Sequence, residues 1–186
     1  MFTKISVLSI IKDHISTLKN NKTNRIYFPD IVLFFILPAA IAGALTYLRV
    51  QLNDALVNAL ITSFSIFSAL LFNLLLLVYD ISGKNSAQSK SRDPLEVRRG
   101  IQRHELLKEI YVNVSFSILI STITVVILLA YFLKTDNCNF LMVNICSLQW
   151  LLALIVYYFS IQFLLTLFMV LKRIYKLLAK AFDSSA

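Results

Sequence analysis

Glycine and proline are scarce, with three of each in 186 residues. Their scarcity excludes a collagen-like or linker-rich chain, and no glycine loop to cradle phosphate and no nucleophile elbow is present. Histidine is rarer still: His14 and His104 stand far apart. With only Cys138 and Cys146 beside them, they form no metal-ligand cluster, so no cofactor and no catalytic residue is expected. Acidic residues number 10 against 18 Lys and Arg, a formal net charge of +8.

Apolar residues fill the space left by these absences. They make up 58% of the chain, with a mean hydropathy of +0.75, against roughly 45–50% in soluble domains. Four runs are long enough to approach or exceed the ~20 residues that cross a bilayer: 31–48, 55–79, 112–133 and 149–171. The expected fold class is therefore all-α, a polytopic membrane protein with four transmembrane helices in two hairpins. A soluble helical bundle is the rival, but these runs have no polar face to show water.

Three domain-level pieces follow in chain order. Residues 1–28 read as an amphipathic cytosolic helix, with Ile5, Leu8, Ile11, Ile15 and Leu18 on one face and Lys4, Lys12 and Lys19 on others. It either lies on the membrane surface or packs on the protein's own cytosolic elements. Residues 29–171 form the transmembrane domain, interrupted by a polar hub at 80–111, and 172–186 form a helical tail. In the hub, Asp93, Pro94 and Glu96 are spaced as a helix N-cap, first position and capping box, and nothing after Gly100 stops that helix before the third span.

Charge gives the topology. Lys and Arg number five before the first span, seven in the hub and four in the tail, leaving only Arg49 and Lys134 elsewhere. The positive-inside rule then puts the N-terminus, hub and C-terminus in the cytoplasm. Arg98, Arg99, Arg103 and Lys108, with Lys172 and Arg173 of the tail, form a basic face. Its candidate partners are anionic membrane lipids, at about 1 kcal/mol per basic residue, and a cytosolic protein. The apolar Leu95, Ile101, Leu106 and Leu107 among these charges favour the protein.

Polar residues inside the spans form two stripes. Asn58, Thr62, Ser65, Ala69 and Asn73 share one face of the second span, and Asn113, Ser117, Ser121 and Thr124 repeat the pattern on the third. They are expected to face each other or a shared axis, as an inter-helix seam, a subunit contact or a water-lined path. In the first span, Pro38 removes a backbone hydrogen bond, and Ala39/Gly43 and Ala40/Ala44 make small-residue pairs for close packing. No Asp, Glu, Lys or Arg lies near any midplane, which counts against a coupled transporter. Arg99 and His104 match the spacing of the Arg/His pair of a class of helical ribonucleases, a pattern that arises easily in so basic a segment.

The segments FPDIVLFFILPAAIAG (28–43), LLFNLLLLVYDI (70–81) and RRGIQRHELLKEIY (98–111), with the length and topology, resemble the small four-span membrane proteins of bacterial antiphage defence systems. In particular, the chain looks like the membrane subunits of Kiwa-type systems. The resemblance implies an oligomeric, non-enzymatic sensor in the bacterial inner membrane that recruits a cytosolic nucleic-acid-binding partner, and so meets nucleic acid only indirectly. The polar stripes support a second reading, an oligomeric pore that depolarises the cell. A third is an assembly factor for another membrane complex.

The same topology puts Cys138 and Cys146 in an outer loop, in an oxidising compartment, which predicts a disulfide between them; two free thiols are the alternative. Alkylation of the unreduced protein followed by mass spectrometry should find neither thiol modified, and two labelled cysteines reject the bond.

Overall fold

A computed structural model of the chain describes residues 7–17, 32–50, 52–88, 94–136 and 145–183. These residues form α1 (Val7–Thr17), α2 (Leu37–Tyr47), α3 (Asp54–Gln88), α4 (Pro94–Asp136) and α5 (Ile145–Asp183), with a π-helical turn at Val32–Ile36 leading into α2. No strand occurs among them. Three segments, Asp54–Gly83, Gly100–Tyr131 and Trp150–Ala179, are long and apolar enough to cross a membrane, with mean hydropathies of 2.2, 2.3 and 2.2. The apolar helix Phe34–Tyr47 is shorter.

The long helices overrun the expected spans. The sequence predicts a polar loop after Tyr79, yet α3 continues to Gln88, because Gly83 alone is too weak a breaker and no proline follows before Pro94. α4 starts at Pro94, whose ring suits the first helical position, and runs unbroken for 43 residues. At 1.5 Å per residue that is about 64 Å, twice the hydrocarbon thickness of roughly 30 Å. Most of the hub is thus the overhang of two helices. The Asp93 cap and both cysteine side chains lie outside the described residues.

α4 is the central helix. Half of its membrane window is buried (50%), against 17% for α3 and 33% for α5, and it packs against α1, α3 and α5 while α2 packs against α5. Val57, Phe64, Leu71 and Val78, at steps of seven, are the buried line of α3. Phe163 of α5 is 1% exposed and meets Phe64 edge-on at 5.0 Å between ring centroids. Lipid is as apolar as these side chains, so dispersion and close fit, rather than escape from water, hold this contact.

The π-helical turn and α2 together bury Phe34, Pro38, Ala42 and Thr46, every fourth residue. This line replaces the expected small-residue pairs: Ala39, Ala40 and Ala44 are exposed, and a Cβ on Gly43 would meet nothing within 4 Å. Pro38 sits at the start of α2, just past the π-helical turn. In α geometry its ring would collide with the carbonyl of Phe34, and the wider winding before it makes room.

A tight turn joins α2 to α3. Arg49 adopts a left-handed φ of 53°, with Val50 N–H donating to Leu45 O at 3.1 Å and Arg49 N–H to Thr46 O at 3.1 Å, the paired bonds of a Schellman end. Asn53 then caps α3, its Oδ1 accepting from Leu56 N–H at 2.8 Å. The Tyr131 hydroxyl donates to Leu52 O at 3.2 Å and that of Tyr157 to Val50 O at 3.1 Å. The turn is thereby fixed to α4 and α5 at one end of the bundle.

Ala42 is fully buried in the α2 stripe, so Ala42→Leu should lower stability by about 1–3 kcal/mol through overpacking, whereas Ala40→Leu, on the exposed side, should not. Thermal unfolding in detergent distinguishes them, and equal melting temperatures would remove the 34/38/42/46 line as the packing seam.

Candidate functional site

At the other end of the bundle, α1, α4 and α5 meet around one arginine. Arg173 Nε lies 3.2 Å from Glu109 Oε2. Its Nη1 donates to Glu109 O at 3.2 Å and its Nη2 to Thr17 O at 3.2 Å. Thr17 is the last described residue of α1, and a guanidinium toward the C-terminal side of a helix is favoured by its dipole. The sequence places Arg173 on the docking face; the structure corrects this. Its side chain is only 12% exposed, because the ion pair turns it inward and ties three helices together.

One turn along α4, Asn113 is fully buried. Its Nδ2 donates to Glu109 O at 2.8 Å, which leaves Oδ1 as the acceptor. That oxygen lies 2.8 Å from His14 Nδ1 and 3.2 Å from the Thr17 hydroxyl, whose one proton is shared with the nearer His14 O at 2.7 Å. Since Oδ1 cannot donate, the network assigns the proton of the neutral imidazole to Nδ1. His14 stacks on Phe116 with centroids 3.8 Å apart and rings 12° from parallel. Its Nε2 is buried without a hydrogen-bond partner among the described residues. Burial pushes the His14 pKa down from 6.5 to about 4; the Asn113 hydrogen bond opposes the shift and the nearby Arg173 charge adds to it.

This arrangement also decides how α1 lies. Ile10 and Ile11 pack on the core and His14 is buried, while Leu8 remains 81% exposed. The helix packs on α4, at the edge of the expected third span, with part of its apolar face left outward. His14, Thr17, Glu109 and Phe116 were not among the expected site residues. The readable signals were a histidine on the apolar face of α1 and a carboxylate one turn before an amide at the edge of a span.

The two polar stripes have different fates. On α4, Ser117, Ser121 and Thr124 are fully buried, and each hydroxyl donates within its own helix, to Asn113 O at 2.9 Å, Ile118 O at 2.9 Å and Ile120 O at 2.8 Å. Thr166 of α5 does the same to Gln162 O at 2.7 Å. These residues let helices approach without donating across. On α3, Asn58, Thr62, Ser65 and Asn73 are exposed. The expected facing of the stripes therefore does not occur, because Val57, Phe64 and Leu71 occupy the inward side. Only at an open groove between α3 and α4 do they come together, where Ser65 and Asn73 share the lining with Ser121.

Arg103, Lys108 and Lys172 are exposed; the side chains of Arg98 and Arg99 lie outside the described residues. Arg99 and His104 lie five apart on an unbroken helix, positions roughly 140° from each other around its axis. No cluster of three His, Cys, Asp or Glu suited to a metal ion occurs among the described residues.

What the fold defines is an all-helical protein with three helices able to cross a membrane. No family model, curated protein or solved structure matches the chain.

The His14 shift has a sign that can be tested. Docked α1 keeps its imidazole neutral to about pH 4, whereas undocked α1 protonates near 6.5. The undocked state binds the extra proton within that window, so docking is at full strength above pH 6.5 and weakens as the pH falls toward 4. The loss reaches about 3 kcal/mol at roughly 1.4 kcal/mol per pH unit. A spin label at exposed Lys12 should gain mobility between pH 7 and 4.5, and should not in a His14→Phe background, which keeps a ring on Phe116 but cannot titrate. Identical pH responses in the two backgrounds would clear His14 of this role.

Proposed function

We propose that the chain is a membrane-embedded, non-enzymatic subunit of a bacterial antiviral defence system. In this reading it senses infection or membrane disturbance and recruits a cytosolic, nucleic-acid-binding protein. The antiviral setting rests on the resemblance carried by residues 28–43, 70–81 and 98–111. The docking role rests on one observation: Arg173, held by Glu109 and Thr17 O, fastens α1, α4 and α5 into a single platform. A surface so fastened can pass a change in span packing to whatever sits on it.

That platform carries exposed Arg103, Lys108, Lys172 and Lys176 together with apolar groups, Ile101 at 56% and Tyr175 at 71% exposure. A plain lipid-binding patch needs the charges alone, whereas a protein interface uses both. Leu107 takes no part, being 3% exposed.

Four crossings of the inner membrane, with both termini cytoplasmic, complete the proposal. The α2–α3 turn is bonded to Tyr131 and Tyr157, and α1 to Asn113 and Arg173. About 27 Å of α4 separates Tyr131 from Asn113, so the chain between α1 and that turn travels nearly a bilayer's thickness. The charge asymmetry supports the orientation.

Combining Arg103→Glu, Lys108→Glu and Lys172→Glu should leave membrane insertion unchanged while phage plaquing efficiency rises to that of unprotected cells. Protection at the wild-type level would refute the docking role.

A further inference from the structure

Arginines stand at both ends of the bundle, and the chain satisfies them unequally. Arg173 finds its acceptors on α1 and α4. Arg49, at the tip of the α2–α3 turn, is exposed and makes no ion pair or side-chain hydrogen bond among the described residues. Asp54, the nearest carboxylate in sequence, opens α3 and is not paired with it. The backbone there is also unusual. Arg49 takes the left-handed position with φ of 53°, where a Cβ is disfavoured and glycine is the common occupant. The Schellman bonds of Arg49 and Val50 N–H hold it in place, as do the Tyr131 and Tyr157 hydroxyls on Leu52 O and Val50 O.

Helix length fixes how deep this tip sits. About 33 Å of α4 separates Tyr131 from Glu109, and about 24 Å of α5 separates Tyr157 from Arg173. These lengths bracket the hydrocarbon thickness of roughly 30 Å. With the Arg173 junction at one edge of the membrane, the tip therefore lies at the other, at headgroup level. Its surroundings agree: Tyr47 and Leu48 beside Arg49 are 86% and 70% exposed, and Val50 is exposed as well. An aromatic ring and two aliphatic side chains around one cation suit the membrane interface better than open water.

At that depth the acceptors are few. Acyl chains offer none. Water alone gives no reason for arginine at a left-handed position that glycine would fill without strain. A phospholipid phosphate presents paired anionic oxygens that match the guanidinium fork. We propose that Arg49 binds the phosphate of a phospholipid in the leaflet at this end of the bundle, with Tyr47, Leu48 and Val50 seated among its glycerol and acyl carbons. The strained turn holds the guanidinium at the level of the phosphates. This site lies at the opposite end from the basic platform, and it needs only the helices that can cross the membrane, not the docking role.

Thermal unfolding of the full-length wild type, Arg49→Gly and Arg49→Gln tests it. The glutamine variant keeps the left-handed strain without the charge, and the glycine variant removes both. In dodecyl maltoside, which carries no phosphate, Arg49→Gly should melt a few degrees above the other two. Phosphatidylglycerol added to these micelles should raise the wild type several degrees more than either variant, since a ligand stabilises only the protein that binds it. Digalactosyldiacylglycerol, a lipid with two acyl chains and no phosphate, should raise all three alike. The basic residues at the other end are the same in each protein, so their own lipid binding cancels from the comparison. Equal rises with phosphatidylglycerol, a galactolipid that separates the proteins equally well, or Arg49→Gly melting no higher than Arg49→Gln in maltoside would overturn the proposal.

Discussion

One guanidinium at the edge of the membrane holds the rest of the structure in place. An arginine there is costly unless every donor is used, and a carboxylate beside it is costly unless paired. Arg173 and Glu109 meet both conditions at once, and the spare donors of Arg173 reach carbonyls of α4 and α1. The docking of α1, the burial of His14 and the shape of the basic end all depend on this junction. Charge removed from the surface here becomes a joint between helices.

Deeper in the bundle the same demand for satisfied polar groups is met in a different way. Hydroxyls on α4 and α5 return their protons to carbonyls of their own helices, so they are neutral in the association of neighbours and serve mainly by being small. That is why α4 can be the most polar of the spans on its buried side and still be the most buried. Asn113 is the exception: an amide has too many hydrogen-bonding groups to satisfy along one helix, and it draws His14 and Thr17 onto α4. Gln162 Oε1 and His14 Nε2, both buried and unpartnered among the described residues, are the two places where this accounting does not close.

α3 shows the contrast. Its inward line is aliphatic and aromatic, and its amides point away from its own chain. A stripe that reads identically to that of α4 along the sequence therefore has the opposite burial, because which side of a helix is inward depends on which neighbour it meets.

Hydrophobic run length, the capping pattern at Pro94 and the distribution of Lys and Arg are local or one-dimensional properties. From them the all-helical membrane character and the approximate positions of three of the four expected spans were legible. Helix ends were less so, since Gly83 is too weak a stop and α3 outran the loop expected after Tyr79. What only tertiary structure decided is the sorting of like from like: Arg173 as a joint while Lys172 stays exposed, Asn113 buried while Asn73 is not, Pro38 and Ala42 rather than Ala39 and Gly43 as the seam. Composition and spacing treat each of these pairs alike; they are separated by the identity of the group on the facing helix, which no single helix encodes.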